Sequence, residues 1–119
     1  MNRRHRLSGF SDFKRVRRTG KSHAHPLVVL VACRNEVGAS RIGVTAGKSV
    51  GTAARRNRAK RRLRAAARKL LPRTTKGWDL ILIARPGVVE AAWSDVQCAV
   101  ETVLTHAGAI LDETGCGRK

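Results

Sequence analysis

A helical spacing of hydrophobic residues runs through residues 52–71, TAARRNRAKRRLRAAARKLL. At about 3.6 residues per turn, its apolar positions fall on one stripe of an α-helix. That stripe consists of Ala59, Leu63, Ala66, Ala67 and Leu70. Ala, Leu, Arg and Lys all favour helix formation, Thr52 can cap the start, and Pro72 ends the helix. The pattern therefore predicts a helix that packs one face against a core.

Three apolar runs predict strands. Residues 27–33 form a continuous valine-rich run, as expected of a buried strand. Residues 41–46 alternate between larger and smaller side chains, and residues 79–84 give the clearest strand of the chain. The first two runs are separated by a turn-rich connector, so we expect them to pair as an antiparallel hairpin.

Two further helices flank these strands. Ser11 can cap a short helix that ends at Gly20, and Ser94 with Gln97 has the spacing of a capping box for a last helix. The order predicts an α+β fold, α-β-β-β-α-β-α, in which helices cover a small sheet of about four strands and one βαβ crossover occurs. We expect one domain over residues 1–119, with an ordered core over residues 6–111, a basic N-terminal arm and a polar tail.

The charge of the chain indicates what class of partner it binds. Lys and Arg number 25 against 8 Asp and Glu, giving a net charge of +17 and a pI near 11.7. Helical surfaces exposed only to solvent normally mix signs, because like charges one turn apart repel. The predicted helix contains no acid, and its apolar stripe lies opposite Asn57, Arg61, Arg64 and Arg68. This density of one sign favours a polyanionic partner. The predicted helix carries nine basic residues, Arg55, Arg56, Arg58, Lys60, Arg61, Arg62, Arg64, Arg68 and Lys69.

Several functional classes do not fit the sequence. No apolar run approaches the roughly 18–20 residues that cross a bilayer, and no apolar segment follows the basic N-terminus as in a secretory signal, so we expect a cytoplasmic protein that does not bind membranes. The three cysteines form no CxxC pair, and neither they nor the four histidines have zinc-site spacing. The acids form no DxD or ExxH group, and no nucleophile motif is present. These absences predict a binding protein without catalytic or metal-ligating residues of its own.

Two places suggest RNA contacts. Lys48 precedes the basic helix, where a cation and free backbone amides suit a phosphate. Phe10 and Phe13 lie in the first predicted helix beside Lys14 and Arg17. The two aromatic residues could anchor that helix to the core or form a stacking platform for an unpaired base, and the residues alone leave both interpretations open.

A set of short motifs resembles the bacterial ribonuclease P protein family. The similarity covers roughly residues 6–105 and includes Arg6-Leu7, Asp12-Phe13, Val16 and the strand at residues 80–85. Its most specific part is Gly47-Lys48-x-Val50-Gly51 followed by Ala53-x-x-Arg56-Asn57-Arg58-x-Lys60-Arg61-x-Leu63-Arg64. The resemblance implies the protein subunit of an endoribonuclease whose RNA subunit, ribonuclease P RNA, performs catalysis. That enzyme removes the 5′ leader from precursor tRNA with Mg²⁺ ions held mainly by RNA.

The resemblance also implies residue roles. A groove between the first helix and the open sheet face would receive the single-stranded leader, with Phe13 stacking there beside Phe10, Lys14 and Arg17. Arg17 stands where many relatives carry a second aromatic residue, which suggests a phosphate or guanidinium-stacking contact instead. The family's βαβ crossover is left-handed, against the usual preference. The residues expected to contact the catalytic RNA are Lys48, Arg56, Asn57, Arg58, Lys60, Arg61, Arg64 and Arg68.

Two other functions remain as alternatives. A structural RNA-binding protein, such as a ribosomal component, would share the basic character without a catalytic partner. A DNA-binding helix would share it too, although Asn57 is the one amide in the helix suited to reading bases. The sequence leaves weak self-association open.

Overall fold

The computed structural model describes residues 10–35 and 40–110, with side chains described from residue 14 onward. The predicted N-terminal arm and C-terminal tail lie outside these ranges. Short 3₁₀ turns at Lys48–Val50, Leu71–Arg73 and Pro86–Val89 connect the main elements. The main elements are α1 (Phe10–Thr19), β1 (Lys21–Ala24), β2 (Val28–Arg34), β3 (Arg41–Ala46), α2 (Ala53–Leu70), β4 (Trp78–Ala84) and α3 (Trp93–Ala107). This order confirms the predicted α+β fold.

The sheet has the strand order β1-β2-β4-β3. β2 pairs antiparallel with both β1 and β4, whereas β3 pairs parallel with β4. The predicted hairpin between β2 and β3 is therefore wrong, because β4 lies between them. β2 and β4 are the most apolar strands, and burial favours them as the central pair. The sequence predicts about four strands but locates only three, since β1 is short and polar.

The two faces of the sheet are covered differently. α2 and α3 pack on one face and enclose the larger core, which includes Leu30, Leu80 and Leu82 from the sheet. α1 packs on the other face through Val16, which contacts Val31 and Ile81. The whole predicted apolar stripe of α2 is buried. This arrangement turns the opposite side of α2 toward solvent.

The ends of α2 follow the sequence signals. The Thr52 hydroxyl accepts a hydrogen bond of 3.3 Å from the backbone amide of Arg55, so Thr52 is the N-cap as expected. The helix ends at Leu70, two residues before Pro72. Gly51 adopts a φ of 125°, which a residue with a side chain rarely takes, as the chain turns into the helix.

The start of α3 differs from the prediction. The helix begins at Trp93 with Ala92 as N-cap, and no side chain caps it. Ser94 therefore lies inside the first turn, where it cannot form the predicted capping box with Gln97. Trp93 is 37% exposed and is not part of the core. None of the helices in the described ranges is long and apolar enough to span a bilayer.

Candidate RNA-binding surface

The outer face of α2, defined here as Arg56, Asn57, Lys60, Arg61, Arg64 and Arg68, carries most of the predicted RNA-binding residues. Asn57, Arg61 and Arg68 are exposed, and the other three are half-buried. Within residues 10–35 and 40–110, none of these six side chains has a hydrogen bond or an ion pair. Five cations are thus held on a rigid helix without a compensating anion from the described part of the chain.

Three arginines on one flank of α2 have a different environment. Arg62 donates hydrogen bonds to the carbonyl oxygens of Val88 (3.2 Å), Val89 (2.7 Å) and Ala91 (2.6 Å). Arg58 Nε donates to the Val89 carbonyl at 3.2 Å. These bonds fasten α2 to the segment that follows β4. Arg58 remains exposed, so its hydrogen bond is compatible with the predicted RNA contact. Arg62, by contrast, stabilises the fold through its three carbonyl contacts.

Arg55, one turn earlier, completes this flank. Its Nε donates to the Val50 carbonyl at 3.0 Å, and its Nη1 lies 2.9 Å from Glu90. The mutual hydrogen bond and charge attraction raise the pKa of Arg55 and lower the pKa of Glu90. Because the pair is exposed to solvent, we expect it to contribute little to stability.

Lys48 is placed at the N-terminal end of α2. It is exposed in the 3₁₀ turn Lys48–Val50, and the neighbouring Val50 is buried and anchors the turn. The structure thus brings Lys48 to the helix end whose amides and dipole favour an anion. The sequence prediction for its location is met, and its phosphate contact stays a prediction.

The predicted leader cleft lies on the α1 side of the sheet. Next to the contact of Val16 with Val31 and Ile81, the sheet face continues through half-buried Ile83 and Thr45, which pair across β4 and β3. Lys14 and Arg17 are exposed on α1. The backbones of Phe10 and Phe13 belong to α1, but their side chains lie outside the described part of the structure, so their stacking role stays a prediction.

A buried acid fixes α1 relative to this face. Asp79 is fully buried and accepts hydrogen bonds from Arg15 of α1, from Asn35 Nδ2 at 2.7 Å, and from Arg41 Nε and Nη2 at 2.9 and 2.8 Å. Burial alone would raise the pKa of Asp79, but the hydrogen bonds from Arg41, Arg15 and Asn35 outweigh it and lower that pKa. Asp79 is thus structural, as its position at a strand start indicates. Its partners are distant in sequence, and no local pattern identifies them.

The acids and histidines elsewhere do not converge. Among residues 10–35 and 40–110, no group of three or more His, Cys, Asp or Glu side chains is placed to hold a metal ion.

Comparison with known proteins agrees with this surface. The family model described as Ribonuclease P matches residues 1–108. The ribonuclease P protein component of Herpetosiphon aurantiacus is 42% identical over 107 residues, which cover 90% of this chain and 87% of that protein. The component of Roseiflexus castenholzii is 38% identical over 111 residues, covering 92% and 91% of the two chains.

Solved structures show the same fold. The RNase P protein of Staphylococcus aureus superposes with a TM-score of 0.79 at 29% identity, covering 89% of this chain and 97% of that one. The RNase P protein from Thermotoga maritima gives a TM-score of 0.76 at 27% identity, with coverage of 85% and 96%.

These matches decide between the functions that the sequence leaves open. They extend over nearly the whole chain and include the basic helix, so a ribosomal component or a DNA-binding module no longer fits. The chain belongs to the ribonuclease P protein family and is the protein subunit of this tRNA-processing, RNA-binding endoribonuclease.

Proposed function

We propose that the outer face of α2, together with Lys48 and Arg58, binds the catalytic RNA subunit. The observation that carries this proposal is the set of cations on that face that have no partner among the described residues. Arginine presents a planar fork of donors that suits phosphate oxygens. Because the buried stripe fixes the helix on the sheet, the cations are held in place before the RNA arrives, which reduces the entropy lost on binding.

The cleft beneath α1 is the proposed site of the single-stranded 5′ leader of precursor tRNA. Support comes from the half-buried face at Ile83 and Thr45 and from the exposed cations Lys14 and Arg17 on α1. Apolar surface beside cations is the combination that binds unpaired nucleotides through stacking and phosphate contacts. Phe10 and Phe13 complete the proposal as aromatic partners of the leader bases.

Together, the two proposed surfaces allow the protein to promote cleavage by the RNA subunit. Both partners are polyanions, and a cationic protein between them lowers their mutual repulsion. Phosphate contacts position the substrate without reading its bases. The RNA subunit performs the endonucleolytic step, and the protein binds and orients the leader.

Mg²⁺ is the proposed cofactor of the assembled enzyme, held mainly by RNA. Among residues 10–35 and 40–110, no group of three or more His, Cys, Asp or Glu side chains is placed to hold the ion. We further propose that the complex acts in the cytoplasm, as expected of a bacterial tRNA-processing enzyme.

Salt dependence of binding to ribonuclease P RNA tests the assignment of the RNA-binding face. Arg61→Ala and Arg64→Ala should each weaken binding and reduce the slope of log K against log salt concentration by about 0.7–0.9, one phosphate contact each. Arg85→Ala is the matched control, because Arg85 is an exposed arginine that does not lie on α2. If the α2 variants left affinity and slope at the control values, the assignment of this face would be wrong.

A further inference from the structure

A pocket of about 330 Å³ opens at the end of the sheet where β2 ends and β1 and β4 begin. Its volume lies in the range of small-ligand sites. It shares no residue with either proposed RNA surface, although Thr19 of α1 and Cys33 of β2 also line it. The residues that determine its chemistry are Lys21, His23, Ala32, Arg34, Trp78 and Ala107.

One wall of the pocket is a cation–π contact between two planar groups. Arg34 and Trp78 are directly opposite each other on β2 and β4. The guanidinium carbon of Arg34 lies 4.8 Å from the centroid of a Trp78 ring, within the range of a cation–π contact. Trp78 Nε1 donates a hydrogen bond of 3.0 Å to Thr75 Oγ1, which fixes the ring. Arg34 is exposed, so a ligand can reach its guanidinium group.

The rest of the lining consists of one lysine, one histidine, two alanines and the polar side chains of Thr19 and Cys33. Lys21 is exposed at the start of β1, and His23 follows two residues later on the same side of the strand. Ala32 and Ala107 provide small apolar surface. No Asp or Glu is among the described residues that line the pocket. An anionic group therefore finds cations there without a competing carboxylate.

We propose that this pocket binds one unpaired RNA nucleotide. The base stacks on the Arg34 guanidinium group, which also contacts the Trp78 ring, and Lys21 contacts the phosphate. Arginine planes and aromatic rings are the usual stacking partners of unpaired bases. The planar Arg34 and Trp78 groups favour a nucleotide over an acidic peptide. A carboxylate would bind the cations of the pocket, but only a base would also stack on the guanidinium plane. This inference does not depend on the roles proposed for α2 or for the α1 cleft.

Tryptophan fluorescence tests this binding locally. The chain has two tryptophans, so in a Trp93→Phe background the emission reports on Trp78 alone. Titration with a five-nucleotide oligoadenylate should quench this emission saturably. Arg34→Ala should weaken the binding that causes quenching by about fivefold or more, the loss expected from one stacked base. Arg34→Lys should weaken it similarly, because the charge is kept but the plane is lost.

Matched variants separate the pocket from the proposed RNA-binding face of α2. Arg85→Ala removes one exposed arginine from the opposite end of β4 and should leave the quenching curve unchanged. Arg61→Ala should weaken binding to ribonuclease P RNA while leaving Trp78 quenching intact, so failure of one proposal is distinguishable from failure of the other. Circular dichroism confirms that each variant is folded.

Three results would overturn the proposal. The first is unchanged Trp78 emission at oligoadenylate concentrations that saturate binding by anisotropy. The second is an Arg34→Ala curve that superposes on that of the Trp93→Phe background. The third is equal quenching by an oligoglutamate of the same charge, which would show that the pocket selects anions rather than nucleotides.

Discussion

Arg62 Nη2 donates a hydrogen bond of 2.6 Å to the carbonyl oxygen of Ala91, whereas Arg61, the preceding residue, is exposed and has no partner among the described residues. One residue corresponds to a rotation of about 100° around the helix axis. That rotation moves Arg62 to the flank of α2 that contacts the segment after β4. Two adjacent arginines of the same basic run thus have different tasks, one in the fold and one in the proposed RNA interface.

This contrast predicts opposite effects of two neighbouring substitutions. Arg62→Gln should lower the free energy of unfolding by about 1.5–3 kcal/mol, because three backbone carbonyl oxygens lose their charged hydrogen-bond donor. Arg61→Gln should change it by less than about 0.5 kcal/mol, as for a surface substitution. Urea unfolding measures both. Equal destabilisation by the two variants would show that the carbonyl contacts of Arg62 do not hold α2.

Removing the buried charge of Asp79 should also be damaging. Asp79→Asn leaves Arg15 and Arg41 facing a neutral partner, and because both arginines are partly exposed we expect a cost of about 1.5–3 kcal/mol, that of weakened hydrogen bonds between charged groups. Because Arg15 belongs to α1, the same variant should loosen that helix and weaken leader binding. Asp95→Asn, at an exposed site in the first turn of α3, is the control and should cost at most about 1 kcal/mol.

The pKa of Asp79 gives this prediction a pH dependence. Its folded-state pKa lies below the ordinary value, so its contribution to stability is present above the unfolded pKa. The contribution is lost as the pH falls through the folded pKa. The wild-type protein should therefore lose more unfolding free energy than Asp79→Asn as the pH drops from about 5 toward 2. Parallel pH profiles for the two proteins would show that the carboxylate contributes no folded-state advantage.

Histidines near the β1 edge predict a second pH effect. Burial lowers the pKa of both His23 and His25, and the positive charge of His106 lowers them further, with Lys21 adding to the effect on His23. Groups with lowered histidine pKa values stabilise the fold above the ordinary value near pH 6.5 and lose that stabilisation as the pH falls. The urea midpoint should thus decrease between pH 7.5 and 5.5.

Substitution of His106 tests the origin of this effect. His106→Gln removes one of the charges that lower the two pKa values, so its urea midpoint should depend less on pH than that of the wild type. Lys48→Gln, which removes a positive charge that does not influence the pKa of His23 or His25, is the control and should keep the wild-type dependence. A His106→Gln profile identical to the control would assign the pH effect to total charge.

Local signals predict α2 well. Its buried stripe, its Thr52 cap and its end before Pro72 all depend on residues within one or two turns of each other. Strand pairing is different, because β2 and β4 meet across about 50 residues and no local pattern specifies that β4 separates β2 from β3. The start of α3 shows a further limit, since Ser94 has the right spacing for a cap but the N-cap is Ala92, two residues earlier.

Local sequence patterns likewise predict some of the functional residues and not others. Helical periodicity places Arg61, Arg64 and Arg68 on the side of α2 away from the core. Helical periodicity does not distinguish Arg62, because the acceptors of Arg62 are backbone carbonyl groups 26–29 residues away. Every residue type has such a carbonyl, so the sequence does not identify these acceptors. The Arg34–Trp78 stack is missed for the same reason, as only the register of β2 and β4 brings these residues together.

Leader-dependent cleavage tests the central claim most directly. A bacterial ribonuclease P RNA would cleave precursor tRNAs carrying a long or a one-nucleotide 5′ leader at low Mg²⁺, with and without this protein. The account predicts that the protein stimulates cleavage, and that stimulation is greater for the long leader because that leader reaches the cleft beneath α1. Absence of stimulation, with an RNA that the protein binds tightly, would contradict the cofactor role, and equal stimulation of both substrates would contradict the leader cleft.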